Sequence, residues 1–362
     1  MGYFTVDREL VDPDFHDGVV KSFMDELPLQ TAIGRIKGEP IDITQDIEVE
    51  GLPAVYDAAV AEGVDYDATG AQKIINPKLT VVIEQFRSKG WNVTRLRQKI
   101  KGHNEQKGNV AAKKRAVDAR NLALSIEHAL GSEQEAVTYA SSSGKPITRG
   151  AMNWLKKFTR PTEATGGSTL AETIAAAAAT LHPVYTIPAD LLPVAGFEND
   201  ISGLTEEVFK DELIKAKLQV GGSKLKLLGL VGTKLKVQMS EWLGKATTVQ
   251  GVESLVRANR NVNDKRIQLI CDEFAYDGVD LKVICADTLL ADTSNGYALQ
   301  DASYKSGIFI RPEMWGVQTL EPITHYETED KGAGPGGYHD ASLRLTCLNP
   351  MGQFRVKHIA AA

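Results

Sequence analysis

The longest periodic stretch of the chain, residues 105–130, places Val117, Asn121, Leu124 and His128 on one helical face and Ala116, Ala119, Ala123, Ile126 and Leu130 on another. At about 1.5 Å per residue this predicts a helix of roughly 35–40 Å, the width of a domain, stopped by Gly131. Thr169 and Glu172 form a capping-box pair ahead of an Ala-rich helix at 170–181. Thr205, followed by Glu206 and Glu207, opens another helix with Val208, Phe209, Leu213 and Ala216 facing inward and Gly221-Gly222 as its stop.

Strand patterns occur at 41–49 and 79–86, around a loop-rich middle with Gly51, Gly63 and Gly70. This pair reads as a long projecting hairpin with few core-forming residues of its own. Further strands are predicted at 224–230, 234–239, 266–271, 281–286, 307–311, 318–329, 342–348 and 353–359. The last two, joined by Asn349-Pro350-Met351-Gly352, read as a half-exposed antiparallel hairpin, because Phe354 and Val356 alternate with Arg355 and Lys357. Helices and strands alternate irregularly, which predicts a mixed α+β fold.

Residues 1–38 hold the breakers Pro13, Gly18, Pro28, Gly34 and Gly38 and predict an extended arm with at most a short helix around 19–26. Residues 161–168 form a flexible joint, after which a new unit starts. No repeat of 20–50 residues is evident.

Charge changes this picture. Residues 1–70 carry sixteen acidic residues against four basic ones, a net of −12, including Asp42, Asp46, Glu48, Glu50, Glu62 and Asp65. Residues 85–120 carry eleven basic against two acidic, a net of +9, including Arg95, Arg97, Lys99, Lys101, Lys107, Lys113, Lys114 and Arg115. The two blocks can fold back on each other, or the acidic arm of one copy can lie on the basic segment of the next, which makes a self-assembling protein.

The 362 residues, 43% hydrophobic and 24% charged, suffice for two or three folded units and exclude wholesale disorder. The acidic N-terminus lacks a signal-peptide pattern and no stretch reaches the roughly 18 apolar residues of a membrane span, so no membrane association is expected. Cys271, Cys285 and Cys347 lack metal spacing and read as small buried residues made in a reducing cytoplasm. With a net charge of only −6, DNA contact would be confined to one face.

Signatures for phosphate loops, dinucleotide folds, nucleophile elbows and zinc helices are missing, which lowers the expectation of an enzyme or a cofactor. The weak metal candidate is His325, Glu327 and Glu329, which share one face of a strand; the plainer reading is a solvated or neighbour-facing strand face. The Gly-rich run at 332–337 is not followed by a helix and reads as a hairpin loop. His103 and the Glu127-His128 pair have no nucleophile placed by sequence and read as surface or interface groups. Aromatic residues are sparse in the basic block, so contact with packaged DNA or a neighbour's acidic arm fits better than base reading.

The order of acidic arm, projecting hairpin, long charged helix, inserted α+β unit and return hairpin resembles the major capsid proteins of tailed bacteriophages with the Hong Kong 97-like fold. Residues 58–63 (AAVAEG) are similar to the "A-x-x-EG" element of one subfamily, and 119–130 (ARNLALSIEHAL) to its spine-helix ending. Gly221-Gly222-Ser223 resembles its "GG-x-P" turn, Cys271-Asp272-Glu273-Phe274 its "TDFG" strand end, and 343–359 its closing segment. Lys224, Ala275 and Arg344 depart from those patterns.

The resemblance implies an N-terminal arm at 1–38, an extended loop at 39–90, a peripheral domain at 91–165 and 306–362 with the spine helix about 105–131, and an axial domain at 166–305. It further implies pentamers and hexamers in an icosahedral shell around double-stranded DNA, with no catalysis. Portal, scaffold or decoration proteins are the implied partners, and the virion, assembled in the host bacterial cytoplasm, is the implied location. Two alternatives stand beside it: an encapsulin-like compartment shell, and a cytoplasmic metal-dependent enzyme using His325, Glu327 and Glu329.

Overall fold

The computed structural model of the chain describes residues 27–36, 40–48, 78–95, 110–138, 144–182, 187–222, 224–244, 247–249, 252–254, 272–290, 302–329 and 334–359. The region around 19–26, the strand expected at 266–271, Cys271, the start of the long helix at 105–109 and His103 lie outside the described residues.

Residues 27–36, the root of the expected arm, contain helix α1 (Pro28–Ala32), with proline in its first turn, and strand β1 (Gly34–Arg35). Leu27 and Leu29 are fully buried against the same subunit, so this part of the arm packs on its own chain. Strands β2 (Thr44–Glu48) and β3 (Lys78–Val82) pair antiparallel, Thr44 opposite Val82 and Glu48 opposite Lys78, as the alternation predicts. The expected shortage of core residues is corrected: Leu79, Val81 and Val82 are buried, and Leu79 and Val81 join the main core. At Ile83 the chain switches partners into β4 (Glu84–Arg87), followed by β5 (Trp91–Asn92).

The long helix α2 (Val110–Gly131) buries Ala119, Leu122, Ala123, Ile126 and Leu130, while Val117 is exposed. The helix runs to Gly131, where a Cβ would fall 2.3 Å from the Leu289 side chain, so close packing requires the glycine. Short helix α3 (Ala151–Trp154) is wholly buried. Helix α4 (Leu170–Leu181) begins with the expected reciprocal box, Thr169 N–H to Glu172 at 2.8 Å and Glu172 N–H to Thr169 Oγ1 at 3.3 Å. Helix α5 (Glu206–Val220) is capped by Thr205 and closed by Gly221 at φ +67°, as predicted.

Two sheets carry the rest. Strand β13 (Trp315–Thr328) and strand β14 (Gly336–Cys347) form a long hairpin in the order β1-β13-β14-β4, with β5 also on β14. Pro322 and two register shifts interrupt β13, whose outer edge pairs with β1 only at Gly316 and Val317 among the described residues. The second sheet uses β6 (Phe197–Asn199), β7 (Leu225–Val231), β10 (Glu273–Tyr276), β11 (Val279–Cys285), β12 (Gly307–Ile310) and β15 (Phe354–His358), ordered β10-β11-β7-β12-β15-β6. A separate pair, β8 (Thr247–Val249) and β9 (Val252–Ser254), is antiparallel. Leu230, Ile308 and Ile310 of the second sheet join the core under α2, whereas Leu227, Val231 and Phe309 join a second core around Phe209 and Phe354.

Three expectations are overturned. Residues 234–239 are not a strand but part of helix α6 (Thr233–Gly244), which buries Leu235, Met239 and Trp242 at helical spacing and exposes Val237. The Thr233 N–H at the start of α6 is capped by Asp287 Oδ1 at 2.7 Å, from helix α7 (Asp287–Leu290). The tail is not a hairpin, since β14 stays in the first sheet and β15 crosses to the second between β12 and β6, burying Arg355 as well as its apolar neighbours. Cys285 is exposed, whereas Cys347 is buried, and burial pushes its thiol pKa up. Among the described residues no helix is long and apolar enough to cross a membrane.

Candidate assembly surface

The chain's two charge blocks meet the solvent on different elements. Asp42, Asp46 and Glu48 are exposed at the base of the β2–β3 hairpin, interleaved with Ile41, which is 89% exposed, and Ile43. Asp46 accepts the Thr80 hydroxyl at 2.7 Å and Glu48 pairs loosely with Lys78 at 3.8 Å. Arg344, fully buried on β14, anchors the hairpin base by donating to Gln318 of β13 and, at 2.5 Å, to Gln45 of β2. Glu50, Glu62 and Asp65 lie outside the described residues.

On the basic side, Lys113 and Lys114 are exposed on α2 beside an open groove of about 370 Å³ that also takes in Trp91, Asn92 and the exposed Val117. Lys114 donates to the Asn92 carbonyl at 2.8 Å. Arg115 is half-buried, and burial lowers its pKa while Glu327 opposes the shift. Arg95 is exposed just after β5, and Arg87 pairs with Asp340 at 2.8 Å while lying over the Tyr338 ring. Arg97, Lys99, Lys101 and Lys107 lie outside the described residues.

Beneath the groove is a polar cluster. Ser88 donates its hydroxyl to Asp118 at 2.5 Å, and His339 Nδ1 lies 2.8 Å from the same oxygen. A nucleophilic serine must give its proton to the imidazole, whereas here the hydroxyl is turned to the carboxylate. His325 accepts the Trp91 indole N–H at 3.1 Å, and burial, with Arg115 and His339, depresses its pKa to about 4. The ring is therefore neutral at pH 7. Glu327 and Glu329 are exposed, and among the described residues no three His, Cys, Asp or Glu side chains are placed to hold a metal ion. His325, Glu327 and Glu329, the weak metal candidate, are included in that statement.

Two residues that the local pattern treats as unremarkable surface groups are central to the fold. Arg355 donates to Glu198 at 2.8 Å, to Glu133 at 2.8 Å and to the Met152 carbonyl at 2.6 Å, tying the second sheet to the segment after α2 and to α3. Glu127, on the buried face of α2, accepts the backbone N–H groups of Leu29 and Gln30. The partners in both cases come from distant sequence, so no local signal marks them.

These elements form a long helix against an extended hairpin sheet, a second mixed sheet, and charged surfaces. The profile of the SU10 major capsid protein family matches residues 2–359. The chain belongs to that family.

The capsid protein is similar in fold to two solved shells. The mature capsid of bacteriophage PhiM1 matches at 12% identity with a TM-score of 0.50, covering 92% of this chain and 87% of that one. The capsid of the native GTA particle matches at 10% identity with a TM-score of 0.52, covering 99% and 95%. Among curated proteins none matches. The fold is the Hong Kong 97-like α+β capsid fold, and the capsid protein is a structural shell component.

Proposed function

We propose that the capsid protein assembles through pentamers and hexamers into an icosahedral shell around double-stranded DNA and catalyses no reaction. The observation that carries this reading is the family match across residues 2–359. Residues 1–38 serve as the N-terminal arm, 39–90 as the extended loop, 91–165 with 306–362 as the peripheral domain, and 166–305 as the axial domain. The second sheet takes β12 and β15 from the later segment, so this division runs through it.

In this reading Asp42, Asp46, Glu48, Glu50, Glu62 and Asp65 of one copy meet Arg95, Arg97, Lys99 and Lys101 of the next. The exposure of the first three and of Arg95 supports it. Exposed ion pairs contribute only about 0–1 kcal/mol each, so charge sets the register while apolar groups such as Ile41 supply most of the adhesion. Lys107, Lys113, Lys114 and Arg115 face the DNA by non-specific phosphate contact. Other copies of the chain are the main partners; portal, scaffold or decoration proteins complete the virion, which forms in the host bacterial cytoplasm.

Particles purified from producing cells and treated with nuclease should retain double-stranded DNA. Particles that instead retain a stoichiometric protein cargo and no nucleic acid would assign the shell to a compartment.

A further inference from the structure

Residues 1–26 carry seven acidic residues against two basic ones, a net of −5, with Tyr3, Phe4, Val6, Leu10, Val11 and Phe15 set among the first carboxylates. A segment of this composition fits a surface that is both cationic and apolar.

The open groove of about 370 Å³ between β5 and α2 is such a surface. Lys113 and Lys114 are exposed along it, Val117 is 55% exposed within it, and Trp91 lines it half-buried. Lys114 is held by the Asn92 carbonyl, a neutral acceptor that does not cancel its charge. Asp118 also lines the groove, but it is buried and takes the Ser88 hydroxyl and His339 Nδ1. Its carboxylate is engaged beneath the floor, so the rim is cationic.

The arm starts from the same helix. Leu27 and Leu29 are buried in the core, and the Leu29 and Gln30 N–H groups are held by Glu127 of α2. Glu127 stands ten residues from Val117, about 15 Å along the helix axis. At about 3.3 Å per residue, about five residues cover that distance, which leaves most of residues 1–26 to lie in the groove. Exposed ion pairs and one apolar patch make a weak contact between separate molecules. Tethering changes the balance, because an attached segment meets its site at an effective concentration on the order of millimolar, about 1000-fold above separate copies at micromolar concentration.

We propose that, in the unassembled subunit, residues 1–26 of the chain's own arm occupy this groove, with carboxylates on Lys113 and Lys114 and apolar side chains on Val117 and Trp91. The arm holds the groove until duplex DNA displaces it. This second step rests on the reading that these lysines meet DNA, and the docking itself does not. The basic face is thereby covered before packaging, when nucleic acid of any sequence would otherwise bind it.

The test places a photoreactive benzophenone side chain at position 117 of the full-length chain, a site exposed enough to take it. Isotopically heavy and light chains are mixed at about 1 μM, far below the effective concentration of the tether, in samples that imaging shows to be free of particles. Crosslinks to residues 1–26 within heavy or within light chains are expected, and their yield should fall about tenfold or more in the double variant Lys113→Glu, Lys114→Glu, at high salt, and with duplex DNA. The same side chain at position 121, also exposed on the groove, repeats the measurement should the first variant not fold. Crosslinks that join heavy to light chains would overturn the proposal in favour of another copy's arm. Crosslinks that avoid residues 1–26, or a yield unchanged in the double variant, would overturn it outright, and a yield unchanged by saturating duplex would overturn the displacement step. Particle imaging at high protein concentration scores shell formation separately, so failure of the docking and failure of the shell reading are distinguishable.

Discussion

Arg355→Leu is expected to lower the stability of the capsid protein by about 2–4 kcal/mol. The guanidinium is 2% exposed and satisfies two carboxylates and a carbonyl from three separate segments. Leucine restores much of the volume but leaves Glu198 without its buried partner and leaves Glu133 to Lys357 alone. Breaking a buried ion pair from one side costs about 3–5 kcal/mol, and partial solvent access to the two glutamates trims that figure. Urea unfolding should shift to lower midpoint, with the largest early loss in signals from Trp154 and α3, because the Met152 carbonyl also loses its donor. A midpoint unchanged from the wild type would mean that the second sheet is held to α3 and to the segment after α2 without this joint.

The second large effect is on assembly. The double substitution Asp42→Lys and Asp46→Lys should leave the isolated chain folded, since both side chains are exposed, with changes within about 0.5 kcal/mol. Shell formation should nevertheless require about 10–100-fold more protein, because two attractive contacts per interface become repulsive and each 1.4 kcal/mol is a factor of ten. Adding Arg95→Glu and Arg97→Glu should recover much of the loss, which light scattering against protein concentration will show. Equal assembly in all three proteins would remove the acidic hairpin from the interface.

What the sequence makes legible is local. Thr169 with Glu172, and Thr205 with Gly221, carry their helix ends within three or four residues, and both helices form where their caps place them. The 234–239 segment misleads because Leu235, Val237 and Met239 alternate like a strand. Its helical character needs Trp242, one turn further on, and a cap from Asp287, 54 positions away. Arg355 alternates with apolar neighbours as an exposed residue would, yet β15 is interior to its sheet and the carboxylates that neutralise the guanidinium arrive from positions 133 and 198. Glu127 follows the same rule, buried because a segment 98 residues earlier brings its amides to it. Charge segregation is legible because it lies in the order of residues along the chain. For His325, Glu327 and Glu329, the weak metal candidate, shared strand phase sets a common face and says nothing about convergence on one ion.

The most direct test of the shell account is electron cryomicroscopy of the purified full-length chain across protein and salt concentrations. Uniform closed icosahedral particles are predicted, with residues 41–48 of each copy lying against the Arg95 region of another copy. A monodisperse monomer or dimer under every condition, with that hairpin turned onto its own subunit, would contradict it.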